Sequence, residues 1–140
     1  MFWRRAGRLL VMRLEHTGLQ VPDPIAMGEW YVKHLGFVVK RAADTPVPVR
    51  FLADQTGRVM IEIYNNPTAP MPNYAAADPL LFHLAFVCED IAGTIARLTA
   101  AGATVADGPV VTPAGDELAM LRDPWQVPIQ LCKRGKAMVI

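Results

Sequence analysis

The chain is poor in cysteine: two thiols, Cys88 and Cys132, stand far apart in 140 residues with no CxxC spacing. A disulfide framework is therefore excluded, and two buried free thiols in a reducing, cytoplasmic compartment are expected. A surplus of charge is missing as well. Fourteen basic and 13 acidic residues leave a formal net charge of +1, too weak a field to attract a phosphate backbone or an anionic membrane. Neither nucleic acid nor a membrane is expected as a partner. No apolar run approaches the roughly 20 residues that a bilayer-crossing helix needs. MFWRRAGRLLVM sets arginines before a short apolar run, but no small-residue cleavage site follows. Residues 1–11 are read as an N-terminal extension, with the fold beginning near Met12.

What remains is 52% hydrophobic and 19% charged, enough for one compact core and too short for two ordinary domains. Its organising feature is a repeat. Residues 13–21 read as a strand, Pro22-Asp23-Pro24 as a turn and helix start, 25–35 as a helix stopped by Gly36, and 37–40, 49–53 and 58–64 as three short strands. The same order returns in the second half. There 80–88 is a strand, Asp90 an N-cap, 91–101 a helix stopped by Gly102, and 103–106, 117–122 and 127–132 are strands. His16 stands as far before Asp23 as His83 stands before Asp90. Two similar sheets related by an approximate two-fold axis follow, with matching positions facing each other. Module one spans 12–64, a proline-bearing linker 65–79, module two 80–134, and a short tail 135–140.

Side chains alternate across a strand. In 58–64 Val59, Ile61 and Ile63 form the face packed on the helix, which leaves Met60, Glu62 and Tyr64 on the concave one. In 80–88 Phe82, Leu84, Phe86 and Cys88 are the greasy face and His83 lies opposite. His16 has the same parity, with Leu19 and Val21 on the core face. In the last strand Ile129 and Leu131 point inward, so Gln130 shares the concave side with Pro128 and Cys132. Each half thus offers one histidine from its first strand and one Glu or Gln from its last. Two imidazoles, a carboxylate and an amide oxygen suit one divalent ion such as Zn, Ni, Co, Mn or Fe(II), with positions open for water or substrate. Gln130 in place of a second carboxylate keeps such a site net positive, which favours an anionic or enolate-like group. Glu62 is then the one carboxylate able to act as a base. Met60 and Tyr64 are expected to line the pocket, and Trp125 in the Asp123-Pro124-Trp125 turn to wall its mouth. His34 is read as capping the end of the first helix, and Trp30, Tyr31 and Phe37 as core.

LEHTGLQVPD, EWYVKHLGF, MIEIY, HLAFVCEDI and LRDPWQVPIQL resemble the vicinal oxygen chelate superfamily, the glyoxalase, bleomycin-resistance and extradiol-dioxygenase group, from about Met12 to Arg134. The resemblance implies an α+β fold: tandem βαβββ modules forming a cupped, partly open β-barrel with helices outside. It also implies metal ligands from the first and last strand of each module, which are His16, Glu62, His83 and Gln130 here. Gln130 departs from the glyoxalase I pattern, which has Glu there. The methylmalonyl-CoA epimerases look similar, with Gln and Glu exchanged between modules.

The leading expectation is a metal-dependent enzyme of glyoxalase-like type, an isomerase or lyase, that chelates two oxygens of a small carbonyl or carboxylate substrate and stabilises an enediolate-like anion, with Glu62 moving the proton. A second is an Fe(II) extradiol-type dioxygenase built on His16, His83 and Glu62. A third is a non-catalytic protein that binds an antibiotic or another small ligand. Family members often pair, so a homodimer is expected. Arg50, Arg58 and Lys133 are the cations near strand ends available to a substrate anion.

Overall fold

The computed structural model describes residues 11–139, so the expected N-terminal extension lies, apart from Val11, outside the described residues. The chain is α+β and divides into two compact units, Met1–Pro70 and Met71–Ile140. The division falls within the proline-bearing segment read as a linker.

The first unit runs β1 (His16–Gln20), α1 (Pro24–Leu35), β2 (Val38–Ala43), β3 (Val49–Ala53) and β4 (Met60–Tyr64). Its sheet has the order β1-β4-β3-β2, with β1 parallel to β4 and the other pairs antiparallel. Asp23 starts the helix, its carboxylate accepting the Ala26 N–H at 3.0 Å, and Pro24 fills the first helical turn where no N–H is needed. Gly36 ends it with φ 73°, a left-handed conformation that costs glycine nothing. Met27, Trp30 and Tyr31 are buried on one side of α1, over a sheet face on which Leu19, Val21, Leu52, Ile61 and Ile63 are also buried. Tyr31 meets Phe37 edge to face at 5.9 Å, so the three aromatics read as core are core.

The second unit repeats the plan: β5 (Leu84–Val87), α2 (Ile91–Ala100), β6 (Thr104–Val111), β7 (Glu117–Arg122) and β8 (Pro128–Lys133), in the order β5-β8-β7-β6 with β5 parallel to β8. Asp90 accepts the Gly93 N–H at 2.9 Å as N-cap. Ile91 and Leu98 of α2 are buried, as are Leu121, Ile129 and Leu131 of its sheet. The β7–β8 turn is held by Asp123, fully buried, which accepts the N–H groups of Trp125 (2.9 Å) and Val127 (3.0 Å).

The first strand, read over 13–21, is His16–Gln20 and the one read over 58–64 begins at Met60; three further strand expectations are corrected with larger consequence. The strand read from residue 80 begins at Leu84. Asp78 accepts the Leu81 N–H at its carbonyl and the Leu80 N–H at its carboxylate, closing a turn that leaves Leu80 and Leu81 about four-fifths exposed (82% and 79%) and Phe82 outside the core (39%). His83 is consequently the residue before the strand. The other two corrections are strands longer than read, β2 to Ala43 and β6 to Val111, because each absorbs a register shift that alternation cannot foresee. In β6 the Asp107-Gly108-Pro109 turn signal sits inside such an irregularity.

Loss of the Asp90 cap in Asp90→Ala should lower stability by about 1 kcal/mol. Asp123→Ala strands the buried N–H of Val127 and the part-buried N–H of Trp125 and should cost about 2–3 kcal/mol. Urea unfolding of both variants measures the difference, and an Asp123→Ala loss no larger than that of Asp90→Ala would refute the role given to Asp123.

Candidate functional site

In each unit the first strand runs parallel to the last, and this pairing sets the candidate donors side by side. Gly18 is paired with Glu62 and His16 with Met60, so His16 and Glu62 stand on adjacent strands, staggered by two residues, on the face away from α1. Their side chains meet: His16 Nε2 lies 3.2 Å from Glu62 Oε2. Gly18 leaves the space between them open. A Cβ there would come within 3.3 Å of Tyr64 Cε1 and 3.5 Å of Glu62 Oε2, so the Tyr64 ring and the Glu62 carboxylate both lie over the glycine. In the second unit Ala85 is paired with Gln130 and Leu84 with Ile129. His83, one residue before Leu84, therefore holds the same stagger to Gln130 that His16 holds to Glu62.

The second ring nitrogen of each histidine supplies a further match. His16 Nδ1 is 2.9 Å from Glu15 Oε1, and His83 Nδ1 is 2.9 Å from the Pro79 carbonyl oxygen. A carbonyl oxygen only accepts, so His83 Nδ1 carries the hydrogen and Nε2 is left with its lone pair. His16 has a carboxylate oxygen at each ring nitrogen, Glu15 at Nδ1 (2.9 Å) and Glu62 at Nε2 (3.2 Å), so its tautomer is not fixed by these contacts as that of His83 is. When Nδ1 donates to Glu15, Nε2 and the Glu62 oxygen are both acceptors, and a cation between them would satisfy both. An Nδ1–H held by a carboxylate or a carbonyl, with Nε2 free, is how protein imidazoles are oriented toward a metal. Two donors about 2.0–2.2 Å from a common ion are separated by roughly 3.0–3.5 Å, so the pair in the first unit fits a divalent cation. No group of three or more His, Cys, Asp or Glu that could hold a metal occurs among the described residues; within each unit only two of the four expected donors are present.

Pro79 is itself held in place. Arg122 donates to the carbonyls of Tyr74 (2.7 Å) and Ala77 (2.8 Å), fixing the single 3-10 turn Tyr74–Ala76 just before it. Gln130 accepts the Cys132 thiol hydrogen at Oε1, 3.3 Å away, which orients the amide along its own strand. Trp125 is half-buried in the β7–β8 turn, where its neighbour Pro124 packs toward Gly102 at the end of α2.

A cavity of about 260 Å³ adjoins His16, lined by Glu15, His16, Lys40, Arg41, Phe51 and Met60. Met60, expected to line a pocket, is among these residues, and Tyr64, expected beside it, is not. Phe51 touches the His16 ring edge to face, with centroids 5.6 Å apart. Glu15, Lys40, Arg41 and Phe51 escaped the sequence reading. Glu15 carried a signal, being next to a candidate ligand in sequence; the others are placed by cross-strand register, which alternation within one strand does not reveal. Arg50, named as available for a substrate anion, is instead engaged by Asp44 (2.7 Å) and by the Ala43 and Val49 carbonyls.

The glyoxalase/bleomycin resistance protein/dioxygenase superfamily model matches residues 13–131. Among solved structures, TnmS3, an antibiotic binding protein from Streptomyces sp. CB03234, is 22% identical with TM-score 0.69, covering 90% of this chain and 98% of that one. A glyoxalase family protein from Enterococcus faecalis is 26% identical with TM-score 0.64, covering 86% and 97%. A glyoxalase I variant from Zea mays is 19% identical with TM-score 0.70, and the match covers 89% of this chain but 46% of that one. No curated protein matches the chain.

Cys132 is buried and Cys88 half-buried, neither in a disulfide. Burial pushes both thiols up from their ordinary value, opposed at Cys88 by a hydrogen bond from Thr94 and at Cys132 by the charge of Arg134. Both should therefore alkylate with iodoacetamide at pH 8 more slowly than a free cysteine, Cys132 most slowly, because the thiolate is the nucleophile. Labelling at the rate of the free amino acid, followed by mass spectrometry, would contradict this.

Proposed function

The chain belongs to the glyoxalase/bleomycin resistance protein/dioxygenase superfamily, and on that premise we propose that it is a metal-dependent enzyme of glyoxalase-like type acting on a small substrate with two neighbouring oxygens. The observation that carries the reading is the shared anchoring of His16 and His83: each has Nδ1 2.9 Å from an oxygen, and His16 Nε2 stands beside the Glu62 carboxylate at 3.2 Å. His16, Glu62, His83 and Gln130 would hold one divalent ion. When bound, it would polarise the substrate oxygens and stabilise negative charge developing on them.

The protein's own groups do the rest. Glu62 is the carboxylate of the set and the base that takes and returns a substrate proton at its oxygens. Glu15 keeps the His16 ring oriented. Met60 and Tyr64 border the place where the substrate sits, and Trp125 forms the mouth. Isomerase or lyase chemistry follows, because a proton moved and returned at one carboxylate needs no oxidant. The dioxygenase reading rests on the same two imidazoles and one carboxylate and differs in requiring iron and oxygen uptake. The binding-protein reading draws on the fold shared with TnmS3 and on the absence of a three-membered acidic, histidine or cysteine group among the described residues. A homodimer is part of the proposal, with the exposed Leu80 and Leu81 as candidates for its interface. No helix among the described residues is long and apolar enough to cross a membrane.

Protein purified without a histidine tag or chelator should carry about one divalent ion per chain. His16→Ala and His83→Ala should each lose it, and Glu62→Gln should reduce turnover about 100-fold or more. Wild type that stays empty after dialysis against Ni, Mn, Zn and Fe(II) would overturn the catalytic reading in favour of ligand binding.

A further inference from the structure

We propose that the cavity beside His16 is an anion subsite, in which Lys40 and Arg41 hold a carboxylate or phosphoryl group of the ligand while its other end reaches His16 and Glu62. The inference deepens the proposed function and rests on it for what happens at that other end.

The argument begins with the backbone. Val39 is paired with Leu52 and Arg41 with Phe51, so Lys40 is an extra residue with no partner on β3. Without that bulge, Arg41 would share the face of Val39, whose partner Leu52 is fully buried. The extra residue reverses the alternation from Arg41 onward, and Lys40 and Arg41 come to line the same cavity. Two adjacent cations lining one cavity repel each other modestly, and a bound anion would offset that repulsion.

No carboxylate among the described residues does so. Among the described residues neither Lys40 nor Arg41 has a carboxylate partner, whereas Arg50 is paired with Asp44 and Arg134 with Asp116. Arg41 Cζ lies over the Phe51 ring, 5.9 Å from its centre, a contact that uses none of the guanidinium N–H groups as hydrogen-bond donors to an oxygen and so leaves them for a ligand. The one carboxylate of the cavity, Glu15, is turned to His16 Nδ1. The second unit sharpens the point, because it has the corresponding bulge at Ala106 with Asp107 following. The cations are therefore no by-product of the repeat: the bulge is common to both units, and only the first carries positive charge on it.

A planar fork and a neighbouring ammonium suit an oxyanion, and Phe51 supplies an aromatic wall for a flat body attached to it. A cavity of about 260 Å³ admits a ring with one acid group. Benzoate, its uncharged isostere benzamide and phenylphosphonate are the probes, titrated by calorimetry into full-length protein both chelator-treated and metal-loaded. The expected result is benzoate or phenylphosphonate bound about 10-fold or more tightly than benzamide, because charge-assisted pairs to both cations are made only by the anion. The better of the two acids identifies a carboxylate or a phosphoryl ligand. In Lys40→Gln/Arg41→Gln the preference should fall to within about 2-fold, while the charge-matched Lys33→Gln/Lys136→Gln keeps it. Lys40 and Arg41 are exposed on an edge strand, and matching thermal melts verify that the variant is folded. No preference in wild type, or a preference that survives in Lys40→Gln/Arg41→Gln, overturns the proposal. Anion preference in protein that takes up no metal leaves the subsite standing and removes the metal-dependent reading; metal uptake without anion preference does the reverse.

Discussion

The parallel pairing of the first strand with the last decides what each unit can do. Parallel strands cannot be joined by a tight hairpin, so the intervening chain must cross back through a helix and two further strands. That crossover covers one face of the sheet with α1 or α2 and leaves the other for function. It also fixes the stagger. Once Gly18 is paired with Glu62 and Ala85 with Gln130, a histidine two residues upstream of the glycine or alanine is within reach of that Glu or Gln on the next strand. In the first unit the contact is seen directly, at 3.2 Å. Gly18 lies beneath both groups: a Cβ there would touch the Glu62 carboxylate and press on the Tyr64 ring, which would have to give by a few tenths of an ångström.

Orientation of the imidazoles is solved differently in the two units, and the difference shows what is essential. The first uses a side chain, Glu15, and the second a main-chain carbonyl, that of Pro79, yet both place an acceptor 2.9 Å from Nδ1. The carbonyl is available because Asp78 and Arg122 shape the chain before β5 into turns. The shortening of that strand, which moves Leu80, Leu81 and Phe82 out of the core, thus accompanies the placement of His83. A local loss of burial coincides with a fixed tautomer at the candidate donor.

Much of this was legible in the amino-acid order. The α+β repeat, both N-caps, the Gly36 stop, the aromatic core and the alternation of Ile61 and Ile63 with Glu62 were all readable, because each rests on a local rule of capping or period. Sequence did not reveal what depends on two strands at once. Lys40 looked like the end of a strand and Arg41 like loop, since a bulge has no signature in alternation; the LLF run before His83 looked like a strand because its turn is driven by Asp78, outside the run. Arg50 looked free for a ligand and is engaged by Asp44. The function proposed for the first unit rests largely on these cross-strand relations: a bulge that brings two cations to the cavity beside His16, and a register that sets Phe51 between Arg41 and the imidazole.

The central claim is that both histidines present Nε2, with Nδ1–H retained, to one ion. Long-range ¹H–¹⁵N correlation spectra of the histidine rings, recorded as Zn is added to metal-free protein, test it most directly. The account predicts that His16 and His83 shift together to the pattern of an imidazole bound through Nε2, while His34 stays unchanged. Binding through Nδ1, or a response from one of the two alone, would contradict it.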